Sequence, residues 1–138
     1  MRTSSSLRLC RWLLVVFGLL LPYGVRFLRG LAWVRQYAEG GFFGVFFVTA
    51  FQALPITFLL ALSFRCRTGL AWFFAVAVGL GVLAWSHWHL DLAADAQAAL
   101  GLVAIPIAAL VPIALAAEFG LFLERRCACR PLHPRKDL

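Results

Sequence analysis

The sequence predicts an all-α integral membrane protein, four transmembrane helices in an up-down bundle with both termini in the cytosol. Three observations carry this reading. Of the 138 residues, 63% are apolar and 14% are charged, where an ordinary soluble domain has about 25% charged residues. The charges gather in short groups between long apolar runs, which is the pattern of spans and loops. Gly40 to Phe64 carries no charge at all and is closed off by Glu39 and Arg65. At about 1.5 Å per helical residue that run is long enough to cross a hydrocarbon core of about 30 Å.

The first eleven residues form a basic cytosolic N-terminus. Arg2, Arg8 and Arg11 precede an apolar core, as in a signal peptide, but no small-residue cleavage site follows Val25 and Arg26 and Arg29 come instead. The segment therefore reads as a retained first span, 12–33. Its uncharged part, Trp12 to Val25, is short for a crossing. Continued to Trp33 it carries tryptophan at both ends, as interfacial aromatics do. Pro22 inside it removes one backbone donor and bends it.

Arg35 to Glu39 reads as a short loop. The second span, 40–64, holds Gln52 at its centre and Pro55, and Gly40 and Gly44 allow a close helix contact. Arg65, Cys66 and Arg67 make a polar turn. The third span, 68–88, has Ala75, Ala77, Gly79 and Gly81 as small residues for packing. His87, His89, Asp91 and Asp95 follow around the next loop. The fourth span, 96–118, is rich in alanine and glycine and is bent by Pro106 and Pro112. The apolar stretch 119–123 carries the membrane domain to residue 123, and 124–138 is a basic cytosolic tail.

Four spans put both termini on one side, together with the Arg65–Arg67 turn. Only Arg26, Arg29 and Arg35 among the basic residues fall on the other side. The excess of arginine and lysine on the terminal side places it in the cytosol, most naturally at the plasma (inner) membrane. Cys10, Cys66, Cys127 and Cys129 all lie on that reducing side. The net charge of +7 raises nucleic acid as a partner. Its distribution flanks the apolar runs in small groups, so the lipid bilayer is the partner expected and nucleic acid is not.

Several residues stand out chemically. Arg26 and Arg29 sit in the outer half of the first span, at the depth of Asp91 and Asp95, and an ion pair between them would tie the first span to the third–fourth hairpin. The same arginines suit a phosphate or another anion. Gln52 is a polar point deep in the second span, either glue between helices or part of a substrate path. His87, His89 and Asp91 mix imidazole and carboxylate as a divalent metal site would. The simpler reading makes the aspartates caps of the fourth helix and the histidines neighbours of the negative end of the third. Cys127, Cys129 and His133 lack the spacing and the second pair of a zinc knuckle.

Outer cysteine pairs for disulfide exchange, an acid in the first span for cation-coupled export, and paired histidines for a haem are each missing from the sequence. No catalytic residue and no cofactor is expected. The first expectation is a structural or accessory subunit that packs with a membrane partner or with copies of itself. A small oligomeric transporter or channel using Gln52 and the Arg26/Arg29 pair is the second, and a lipid-modifying membrane enzyme the third.

Overall fold

The computed structural model describes residues 3–39, 41–65, 69–94 and 97–128. Among these, the regular structure is five helices: α1 (Thr3–Arg29), α2 (Leu31–Ala38), α3 (Gly41–Arg65), α4 (Gly69–His89) and α5 (Ala98–Ala128). Four of them contain stretches long and apolar enough to cross a membrane, Ser6–Arg29, Gly41–Phe64, Gly69–His89 and Ala98–Arg126. The protein is a membrane protein of transmembrane helices.

The first helix stops at Arg29 and does not run on to Trp33. Gly30 adopts φ 119, a left-handed conformation that a side chain resists and that no helix continues through. Its amide still bonds the Phe27 carbonyl at 3.0 Å, and its own carbonyl accepts from Trp33 at 3.1 Å, so the chain turns without stranding its backbone groups. The segment read as a loop is largely helical instead. In α2, Tyr37 is buried and Trp33, Val34 and Gln36 are partly covered, while Leu31, Arg35 and Ala38 are exposed. That spacing gives the short helix one inward face.

The four long helices form a ring in which α1 and α5 each pack against both α3 and α4, and α4 against α5 is the most extensive pair. The core combines Leu14, Ile56, Leu59, Ala75, Leu83, Ala109, Ile113 and Ala117. On α4 the buried positions are Ala71, Ala75, Gly79, Leu83 and His87. Each lies four residues from the last, so they form one ridge along the helix. Ala77 and Gly81, equally small, are exposed on the other side. Pro22, Pro55 and Pro106 are all fully buried, and α3 and α5 continue through their prolines.

Lipid tails are as apolar as leucine, so burial alone gives these helices little reason to associate; close packing must do so. The closest approach of backbone to backbone is at Gly120, where an added β-carbon would lie 2.4 Å from the Cα of Ala71. At Gly79 it would lie 2.8 Å from Ile113 Cγ1. Gly44 faces the Tyr37 carbonyl, 3.0 Å from where its β-carbon would be, so this glycine serves a contact inside the chain. Its expected partner in the motif, Gly40, lies outside the described residues.

A paired substitution tests the packing. Gly120→Ala should destabilise the detergent-solubilised protein by about 1–3 kcal/mol, the usual cost of overpacking, because backbone must move. Gly81→Ala, where the added carbon meets nothing within 4 Å, should shift thermal unfolding by less than about 1 kcal/mol, in the stabilising direction. Equal losses in both would refute the packing account.

Candidate functional site

The candidate site lies where α1 ends, α2 folds back and α4 meets its following turn. Arg26, in the last turn of α1, is fully buried. A guanidinium cannot lose its charge there, so its surroundings must replace water. Nη1 donates to Gln36 Oε1 at 2.5 Å and to the Trp33 carbonyl at 3.3 Å. Nη2 donates to the carbonyl of Leu90. The Tyr37 ring lies beneath it, with Cζ 4.0 Å from the ring centre, a cation–π contact strengthened by desolvation. Nε is buried without a hydrogen-bond partner.

Gln36 joins this arginine to the α4–α5 turn. Its Nε2 donates to Asp91 Oδ1 at 3.0 Å, and its Oε1 also accepts from the Leu92 amide at 3.4 Å. Asp91 Oδ1 accepts from the Ala93 amide at 3.0 Å, which holds the turn. Gln36 thus stands between Arg26 and Asp91, the two residues expected to pair by charge. Asp95, the other expected partner, lies outside the described residues. Arg29 takes a different course: it is half-buried, donates through Nη1 to the Trp88 carbonyl, and stacks on the Trp33 ring with Cζ 3.4 Å from its centre.

A second set of bonds leads from Tyr37 into the bundle. The Tyr37 hydroxyl is 2.6 Å from His87 Nδ1, His87 Nε2 is 3.2 Å from Gln52 Oε1, and Gln52 Nε2 donates to the Gly18 carbonyl at 3.1 Å. The last bond fixes the rest. A carbonyl only accepts, so Gln52 donates there and presents its oxygen to His87, which must then carry its proton on Nε2. His87 Nδ1 is left to accept from Tyr37. Burial raises the Tyr37 phenol above its ordinary value of 10.0, the Arg26 charge opposing, so it remains a neutral O–H donor. The chain of donors therefore runs in one direction, from α2 through α4 and α3 to α1. Tyr23 adds a neighbouring tie, donating to the Val45 carbonyl at 3.0 Å beside Thr49.

The residues considered for a metal do not converge. His87 is turned into the bundle, His89 Nδ1 is 2.8 Å from the Trp85 carbonyl at the surface, and Asp91 holds Gln36 and its own turn. Among the described residues no three His, Cys, Asp or Glu side chains are grouped to hold a metal ion. Cys10 is exposed, while Cys66, Cys129, His133 and the side chain of Cys127 lie outside the described residues. Comparison of the chain with protein-family models, curated proteins and solved structures finds no match.

Gln36 and Tyr37 are the site residues that the sequence did not announce. Both fell in a stretch read as a loop, and only the turn at Gly30 brings them back over Arg26. The inward direction of His87 had a signal, the four-residue spacing of Ala71, Ala75, Gly79 and Leu83 that it completes.

The network predicts an order of sensitivity. Arg26→Ala leaves Gln36 and two carbonyls without their charged donor and should lower stability by about 3 kcal/mol. Asp91→Asn retains an oxygen for Gln36 and the Ala93 amide, and should cost less than about 1 kcal/mol. Chemical unfolding in mild detergent measures both, and a larger loss in Asp91→Asn would contradict the arrangement. Nitrogen NMR of labelled histidine should find His87 protonated on Nε2 alone near neutral pH; the Nδ1-protonated tautomer would reverse the donor order.

Proposed function

We propose that this protein is a structural or accessory subunit of a membrane assembly, working by packing against membrane partners or copies of itself. The observation that supports this best is the use of its deep polar groups. Arg26, His87 and Gln52, the buried polar side chains among the described residues, are bonded to other groups of the same chain. Gln52, the residue a transport path would need most, gives its amide to Gly18 and its oxygen to His87. Such bonds hold helices together. Meanwhile Phe42, Phe43 and Phe46 leave 77%, 80% and 62% of their surface uncovered, offering apolar area to whatever shares the membrane.

The proposed architecture is an up-down bundle with both termini in the cytosol. Contacts between α1 and α3 run in opposite order along the two helices: Arg11 with Ser63, Gly18 with Gln52, Tyr23 with Val45. Along α4 and α5, Ala71 meets Glu124 and Phe74 meets Phe119, while Gly101 faces Leu90. The distribution of arginine supports a cytosolic side for the terminal end.

Two measurements test the proposal. Purified gently from its membrane, the full chain should travel with a protein mass above its own 15.3 kDa, as a homo-oligomer or with a stoichiometric membrane partner. A solitary protomer that moves ions or solutes across reconstituted vesicles would favour the transporter instead. An impermeant thiol reagent should label Cys127 only after the cells are opened; labelling from outside would overturn the orientation.

A further inference from the structure

We infer that the groove between the start of α1 and the end of α3 is a binding site for one anionic phospholipid. The groove encloses about 280 Å³ and is lined by Arg8, Arg11, Trp12, Val15, Leu60 and Phe64. Its lining combines two cationic side chains with aromatic and aliphatic ones. Two arginines three residues apart stand on one helix face at the mouth, and aromatic and aliphatic side chains make the walls.

Arg11 is held in a fixed orientation. Nε donates to Ser63 Oγ at 3.0 Å and Nη2 to the Ser63 carbonyl at 3.1 Å. Ser63 in turn donates to the Leu60 carbonyl at 2.6 Å, so its oxygen is oriented to accept. The guanidinium lies on Phe64, with Cζ 3.8 Å from the ring centre. Nη1 takes no part in either Ser63 bond. A planar cation fixed this way has little freedom left to lose when an anion arrives. Guanidinium geometry matches a phosphate with two parallel donors.

The walls decide between a free anion and a lipid. Trp12 and Phe64 are 69% and 72% exposed, and both helices belong to membrane-crossing stretches. The groove therefore opens onto the bilayer at its edge, where tryptophan concentrates. A phosphate at Arg8 and Arg11 would leave its acyl chain along Trp12, Val15 and Leu60. An inorganic ion would use only the mouth and leave these walls to other tails. Basic pockets between transmembrane helices bind lipid head groups by this combination.

The test uses the full chain in a neutral detergent, given equal amounts of phosphatidylglycerol and phosphatidylcholine, with retained lipid counted by native mass spectrometry. Phosphatidylglycerol should be preferred, with about a fivefold contribution from each arginine. Arg8→Gln should reduce the preference about fivefold. Arg11→Lys, which keeps the charge but loses the flat two-nitrogen grip, should also reduce it, while Arg35→Gln at the far end should not. If Arg11→Lys fails to fold, Arg8→Gln on the exposed rim decides alone. Equal retention of the two lipids would overturn the site, as would a preference unaffected by Arg8→Gln. Displacement of phosphatidylglycerol by the same concentration of inorganic phosphate would make it a free-anion site and refute the lipid assignment.

Discussion

The burial of Arg26 constrains everything around it. A permanent positive charge set within a mostly apolar bundle has to be surrounded by oxygen and aromatic faces, and in lipid such groups come only from the protein itself. The chain supplies them from two places, α2 and the turn after α4: two carbonyls, one side-chain amide and one phenol ring. Meeting that requirement dictates the break at Gly30, the return of α2 over the end of α1, and the placement of the α4–α5 turn. Had α1 continued as one helix to Trp33, Gln36 and Tyr37 would have been carried away from Arg26 along the axis.

The remainder of the bundle is held by the Tyr37–His87–Gln52–Gly18 bonds and by shape. Where Gly120 meets Ala71, helix backbones approach so closely that one carbon would separate them. Many weak dispersion contacts are gained there at once, and they replace the hydrophobic drive that the bilayer removes. Arginine chemistry at one end and glycine geometry along the interior thus divide the work. The first fixes which groups meet, and the second fixes how near the helices lie.

The long helices were legible because their signal is local: an uncharged run of sufficient length has few alternatives. The helical stop at Arg29 was less so, since a glycine after an arginine marks a break only if the tertiary structure demands one. The role of Gln36 was hidden for a different reason. An amide in a short polar stretch resembles any loop residue, and its value comes from lying between Arg26 and Asp91, which are remote in sequence. His87 occupies the middle ground. Its place on the buried ridge can be read by counting in fours, but its partners, Tyr37 and Gln52, come from elements that periodicity does not bring together.

The reach of the Arg26 bonds has a consequence for biosynthesis. The residue whose carbonyl completes the Arg26 shell comes 64 positions later in the chain. Chains emerge N-terminus first, so the first helix and the next enter the membrane before the acceptor exists. During that interval Arg26 depends on water, lipid head groups or an insertion factor for its hydration. Delivery of α4 ends the dependence, and withdrawal of the arginine from the interface then becomes the event by which a finished bundle differs from a truncated or stalled one.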